Sequence, residues 1–123
     1  MRSRKYAAVF IASAWVLVAA VIYFSLSTTI VQVPGDPGGR YTHVAAYALL
    51  MLSFAYAYPN ARTTVVVAAA LLALGISMEY FQLRIGRDFE RADMVADAIG
   101  IGLGWLLGFW LTRIFVDRRS DAA

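Results

Sequence analysis

The chain has 123 residues, of which 61% are hydrophobic and only 15% are charged. An ordinary soluble domain is roughly 45–50% apolar and about 25% charged, so this composition excludes a soluble globular enzyme and a disordered tail. The net charge of +3 comes from basic residues in short clusters between apolar runs, which indicates membrane topology rather than nucleic-acid binding.

Four apolar segments each meet or approach the roughly 20 residues that a helix needs to cross a bilayer. They span about residues 7–26, 41–58, 64–83 and 92–112. The segments lack the alternation of barrel strands, and open sheets cannot cross a bilayer, so we predict helices. The first segment exceeds the 7–15-residue core of a signal peptide and is expected to stay uncleaved. The predicted fold is all-α: a polytopic membrane protein with an antiparallel four-transmembrane-helix bundle, one domain over residues 1–123.

The connections between these segments follow from breaker residues and polar stretches. Residues 33–39 are rich in Pro and Gly, residues 59–62 form a tight turn, and residues 83–91 are densely polar. With the N-terminus inside, more Lys and Arg residues fall on the cytoplasmic side than on the other. We therefore predict a multi-pass protein of the cell membrane with both termini cytoplasmic and loops 27–40 and 84–91 extracytoplasmic.

This topology brings three helix ends to the outer face: the start of helix two, the end of helix three and the start of helix four. The polar residues of these helices fall there as pairs: His43 and Tyr47, Glu79 and Gln82, Asp93 and Asp97. Each pair is spaced i,i+3 or i,i+4 and so shares one helix face. Because a charge at the bilayer centre costs roughly 2.5–3.5 kcal/mol on insertion scales, this convergence indicates a functional site.

For individual residues, explanations without a functional role also remain open. His43 is also explained as an interfacial residue bonded to water, and Asp93 as a carboxylate that complements the dipole of its helix. The loop arginines are the predicted partners of the acidic residues, through bidentate guanidinium–carboxylate contacts: Arg84, Arg87 and Arg91.

The acidic face of the fourth helix continues as a stripe of small residues, formed by Gly100, Gly104 and Gly108. Small residues at this spacing let a neighbouring helix backbone approach closely. The stripe is therefore a predicted helix-packing surface, either inside the bundle or between two copies of the chain, which leaves a homo-oligomer open.

Residues 79–104 resemble the motif of the VanZ-like family: Glu, two residues, Gln, then Arg, five residues, Asp, three residues, Asn or Asp, then Gly. The matching positions are Glu79, Gln82, Arg87, Asp93, Asp97, Gly100 and, as the second glycine, Gly104. The upstream family element Asp-Lys-x-x-His-x-x-x-Tyr is matched by Arg40, His43 and Tyr47. The resemblance thus covers roughly residues 39–104.

Two positions depart from the family pattern: Gly39 stands in place of an acidic residue, and Asp97 in place of the usual Asn. The resemblance implies a small four-helix membrane protein of the bacterial cell envelope. It also implies a link to antibiotic resistance, because the family's namesake is associated with resistance to the glycopeptide teicoplanin.

Two classes of function remain open from the sequence. The first is a non-enzymatic envelope protein that binds an anionic, amphiphilic or lipid-linked ligand, such as a glycopeptide, at the outer leaflet. Its predicted ligand-binding residues are Arg40, His43, Tyr47, Glu79, Gln82, Arg87, Asp93 and Asp97. The second is a membrane-embedded hydrolase or transferase acting on a phospholipid or cell-wall lipid precursor, with candidate catalytic residues His43, Glu79 and Asp93.

Other functions and cofactors are less well supported by the sequence. No cofactor is expected, although Asp93 and Asp97 are candidate ligands for a divalent metal. The sequence contains no P-loop, HExxH or GxSxG motif. A monomeric ion channel is disfavoured because the cytoplasmic halves of helices two to four are apolar. The predicted partners are the lipid bilayer and the amphiphilic ligand, with no nucleic acid.

Overall fold

The computed structural model describes residues 4–27, 34–35, 39–58, 60–86 and 91–121, and these fold into four α-helices. The helices are α1 Arg4–Leu26, α2 Arg40–Ala57, α3 Ala61–Arg84 and α4 Arg91–Asp121. Within the described residues there is no strand, so the predicted all-α class is confirmed for them.

The helix bounds lie close to the predicted segments except at the end of α4. That helix continues past the predicted limit of Thr112 to Asp121. Hydropathy marks where a helix leaves an apolar environment, whereas the helix itself continues for as long as its backbone hydrogen bonds are made. At the start of α3, the Asn60 side chain accepts a hydrogen bond from the backbone N–H of Arg62 at 2.9 Å, which caps the helix.

Three of the described helices contain segments long and apolar enough to span a membrane: Ala8–Leu26, Ala61–Arg84 and Arg91–Ile114. Their large apolar side chains are extensively exposed, as at Val16 (67%) and Leu106 (69%). Such surfaces are unfavourable in water but match the hydrocarbon of a bilayer, which indicates a membrane protein. α2 is not among the three, and its role as a fourth span stays a prediction.

The core is built around α2, which has the most buried apolar face. Its buried residues are Tyr47, Leu50, Met51, Phe54 and Ala55. α1 packs on this helix through aromatic pairs, with ring centroids 4.6 Å apart for Phe10–Tyr56 and 5.7 Å apart for Trp15–Phe54. Residues early in α1 therefore lie beside residues late in α2.

α4 lies against α2 along the predicted glycine stripe. A Cβ atom at Gly100 would lie 2.5 Å from the carbonyl oxygen of Val44, and one at Gly104 would meet the carbonyl oxygen of Ala48. Gly108 faces a later part of α2. The contacts follow the same order along both helices, so the start of α4 lies beside the start of α2. Within this structure the stripe is covered by α2 of the same chain.

Candidate functional site

A histidine–aspartate pair joins the first turn of α2 to the second turn of α4. The Nδ1 atom of His43 lies 2.7 Å from Oδ1 of Asp97, and the side chain of Asp97 is only 2% exposed, against 24% for His43. On the other side of the ring, Nε2 lies 3.8 Å from Oδ2 of Asp93. The imidazole is thus placed between two carboxylates, and the short bond to Asp97 fixes its orientation.

Local backbone structure explains why these side chains meet. Gly39 has a φ of 70°, a left-handed conformation that favours glycine, and its carbonyl oxygen accepts a hydrogen bond from the N–H of His43 at 3.0 Å. This turn sets His43 in the first turn of α2 and gives a structural reason for the glycine at position 39. One turn deeper, Gly100 lets the α4 backbone approach α2 closely, so the short Asp97 side chain can reach the imidazole.

α3 closes the site from a third side. A Cβ atom at Gly75 would lie 2.6 Å from Oδ2 of Asp97 and 3.3 Å from the hydroxyl oxygen of Tyr47. Tyr47 and Glu79 are 2% and 1% exposed, and the Glu79 carboxylate interacts electrostatically with both His43 and Tyr47. We call this group the polar cluster: His43, Tyr47, Glu79, Asp93 and Asp97.

Gly75 is not among the site residues predicted from the sequence. A glycine in the middle of an apolar helix is unremarkable by itself, but Gly75 stands four residues before Glu79 and therefore on the same face of α3. That spacing is the sequence feature that could have assigned Gly75 to the site. Its role is steric, because any side chain at this position would displace the Asp97 carboxylate or the helix.

Gln82 makes a different contact from the rest of the predicted site. Its Nε2 atom donates a hydrogen bond to the carbonyl oxygen of Ser25 at 3.0 Å, which ties the end of α3 to the end of α1. Since the residue is only 6% exposed, this bond satisfies a buried donor. The structure thus places Gln82 in a contact between helices.

The described arginines near the cluster are all exposed: Arg40 begins α2, Arg84 ends α3 and Arg91 begins α4. The fourth, Arg87, lies outside the described residues. These positions put basic side chains at the same helix ends as the polar cluster, where the sequence predicted a site for an anionic ligand.

The polar cluster has more acidic than basic groups, with three carboxylates around one imidazole. No group of three or more His, Cys, Asp or Glu residues is placed to hold a metal ion within the part of the chain that the structure describes. Asp93 and Asp97 therefore do not form such a group with a third His, Cys, Asp or Glu among these residues. The cluster is suited to holding an imidazole in one orientation and to proton transfer through it.

Fold and site together define a small helical membrane protein with a buried polar cluster at one end of its helices. Comparisons of the chain with family models, with curated proteins and with solved structures found no match. The functional assignment therefore depends on the geometry of the cluster and on the motif residues themselves.

Proposed function

We propose that the chain is a VanZ-like integral membrane protein of the bacterial cell envelope, with all four helices crossing the membrane as an antiparallel bundle. The order of contacts supports alternating directions. Phe10 packs on Tyr56 between α1 and α2, and Gln82 bonds to Ser25 between the ends of α3 and α1. The excess of Lys and Arg on one side supports an orientation with both termini cytoplasmic and the polar cluster at the outer face.

Cysteine labelling tests this topology, since the natural chain contains no cysteine. Ile85 and Asn60 are exposed at opposite ends of α3. In intact cells, Ile85→Cys is expected to react with a membrane-impermeant maleimide, and Asn60→Cys only after permeabilisation. The reverse labelling pattern would invert the orientation, and labelling of both in intact cells would contradict a membrane-spanning α3.

The site is proposed to bind an anionic, amphiphilic or lipid-linked ligand at the outer leaflet. The observation that carries this proposal is the convergence of polar side chains from three helices at the helix ends that also carry exposed arginines. The polar side chains are the buried Tyr47, Glu79 and Asp97 and the partly exposed His43. Guanidinium groups bind phosphate and carboxylate through paired hydrogen bonds. The polar cluster holds together the helix ends that carry Arg40, Arg84 and Arg91. Ligands of this kind include a lipid-linked cell-wall precursor and a lipid-tailed glycopeptide.

Glycopeptide susceptibility tests the proposal in a sensitive bacterial host at matched membrane levels. The wild type is expected to raise the inhibitory concentration of teicoplanin several-fold and to leave that of vancomycin unchanged. Glu79→Gln and Asp93→Asn are expected to abolish this protection because they remove charges from the cluster. Ser77→Ala is the matched control, since Ser77 is exposed on α3 and its hydroxyl donates to the carbonyl oxygen of Ala73 in its own helix. Protection that survives both cluster variants would contradict the assignment of the site.

A membrane-embedded hydrolase or transferase acting on a phospholipid or cell-wall lipid precursor is the second candidate. The observation that favours it is the short bond between buried Asp97 and Nδ1 of His43, because a carboxylate that orients an imidazole is a recurrent feature of acid–base catalysis. Glu79 and His43 would then exchange protons with the substrate. Under this reading Glu79→Gln abolishes turnover while ligand binding persists, whereas the binding protein loses binding and protection together.

A further inference from the structure

A groove runs between α3 and α4 on the face next to the polar cluster. It has a volume of about 430 Å³ and is lined by Ile76, Tyr80, Leu83, Arg91 and Met94. This volume falls in the range of roughly 300–1,000 Å³ that is usual for small-molecule sites. The three α3 residues are spaced i, i+4 and i+7 and form one wall, while Arg91 and Met94 form the other.

The groove is apolar along its length and basic at one end. Arg91 is the first residue of α4, its side chain is exposed, and within the described residues it takes part in no ion pair. Arg84 ends α3 four residues after Tyr80 and is also exposed. A ligand that complements both features has a hydrocarbon part and an anionic head.

The surroundings of the groove indicate where such a ligand comes from. Large apolar side chains beside it are exposed on both helices, including Phe81 on α3 and Val95 and Ile99 on α4. In a membrane-spanning protein this surface contacts lipid chains. The molecules that meet the groove at highest concentration are therefore the phospholipids of the bilayer.

We propose that the α3–α4 groove binds an anionic phospholipid of the surrounding membrane, with one acyl chain along the groove and the phosphate on Arg91. A phosphatidylcholine headgroup carries its own cation beside the phosphate, whereas phosphatidylglycerol carries a net negative charge. Arg91 therefore selects phosphatidylglycerol. This lipid site uses the next face of α3 and α4. It shares Arg91 with the site proposed above and rests on the membrane-spanning α3 and α4 of that proposal, but the lipid preference is measured separately from antibiotic protection.

Quenching by brominated lipids tests this site in the full-length chain. Val95→Cys carries a bimane fluorophore beside the groove, and Leu106→Cys carries it on a remote lipid-facing position of α4; both residues are exposed in the structure. Each labelled protein is reconstituted in phosphatidylcholine vesicles that contain equal mole fractions of brominated phosphatidylglycerol or brominated phosphatidylcholine. The readout is the relative association constant of the two brominated lipids at each label.

At Val95 the wild-type background is expected to prefer phosphatidylglycerol roughly fivefold, the effect of one basic side chain near an anionic lipid. No preference is expected at Leu106. Arg91→Gln should remove the preference, and Met94→Trp should reduce quenching by both lipids because the indole fills the groove. Arg113→Gln is the matched control, an exposed arginine late in α4, and should leave the preference intact.

Three outcomes would overturn the proposal. The first is that both lipids quench the Val95 label equally in the wild-type background. The second is that the preference persists in Arg91→Gln. The third is that Arg113→Gln removes the preference as completely as Arg91→Gln does. Competition by inorganic phosphate separates the sources of the anion. If free phosphate at the concentration of the lipid abolishes the preference, Arg91 takes a soluble anion and the lipid site is wrong.

Discussion

Gly100→Ala is expected to lower the free energy of unfolding by about 1–3 kcal/mol, the usual cost of overpacking. The added Cβ would lie 2.5 Å from the carbonyl oxygen of Val44 and 3.1 Å from the amide nitrogen of Ala48. Both are backbone atoms, so no side-chain rotation relieves the contact and α4 must move away from α2. Denaturant unfolding of the purified protein in detergent micelles measures the change.

Gly102→Ala is the matched control on the same helix, because a Cβ at Gly102 meets nothing within 4 Å. Alanine is favoured over glycine in a helix by about 0.5–1 kcal/mol, so this variant should be unchanged or stabilised. A loss of stability in Gly100→Ala without a loss in Gly102→Ala would place the close contact between α4 and α2 at Gly100. Equal losses would contradict the close packing of α2 and α4.

His43→Ala is expected to cost about 3–5 kcal/mol of stability, because it leaves the buried Asp97 carboxylate without its partner. The double variant His43→Ala/Asp97→Ala should lose much less than the sum of the two single variants. A double-mutant cycle on unfolding in detergent measures this coupling.

Asp93 supplies the control for that cycle. Its carboxylate lies 3.8 Å from the ring of His43, beyond hydrogen-bonding distance, whereas Asp97 lies at 2.7 Å. The coupling of His43 to Asp93 should therefore be clearly smaller than its coupling to Asp97. Equal couplings would mean that Asp97 does not fix the orientation of the imidazole.

Much of this arrangement follows from the sequence by simple physical rules. Long apolar runs predict helices, and the i,i+4 spacing of His43 and Tyr47 puts both on one face of α2. The turns between runs bring the start of α2, the end of α3 and the start of α4 to one end. The convergence of His43, Glu79 and Asp97 was predictable on those grounds, as was the packing role of the glycine stripe.

The contacts inside the cluster were not predictable, because spacing defines a helix face but not the rotation of one helix against its neighbour. Asp93 and Asp97 share a face, and only the close approach at Gly100 decides that Asp97 meets Nδ1 of His43. The same holds for Gln82, whose partner is a backbone carbonyl on α1. Backbone acceptors carry no sequence signature, so no motif identifies them.

The pairing of α2 with α4 also has a consequence for biogenesis. The bond between His43 and Asp97 joins residues 54 positions apart, and the glycine stripe of α4 packs on the same helix, α2. During synthesis neither contact can form until α4 has been made. In a nascent chain from which only α1 to α3 have been synthesised, His43 has no Asp97 to bind. The contacts between α2 and α4 therefore form only after α4 has been synthesised.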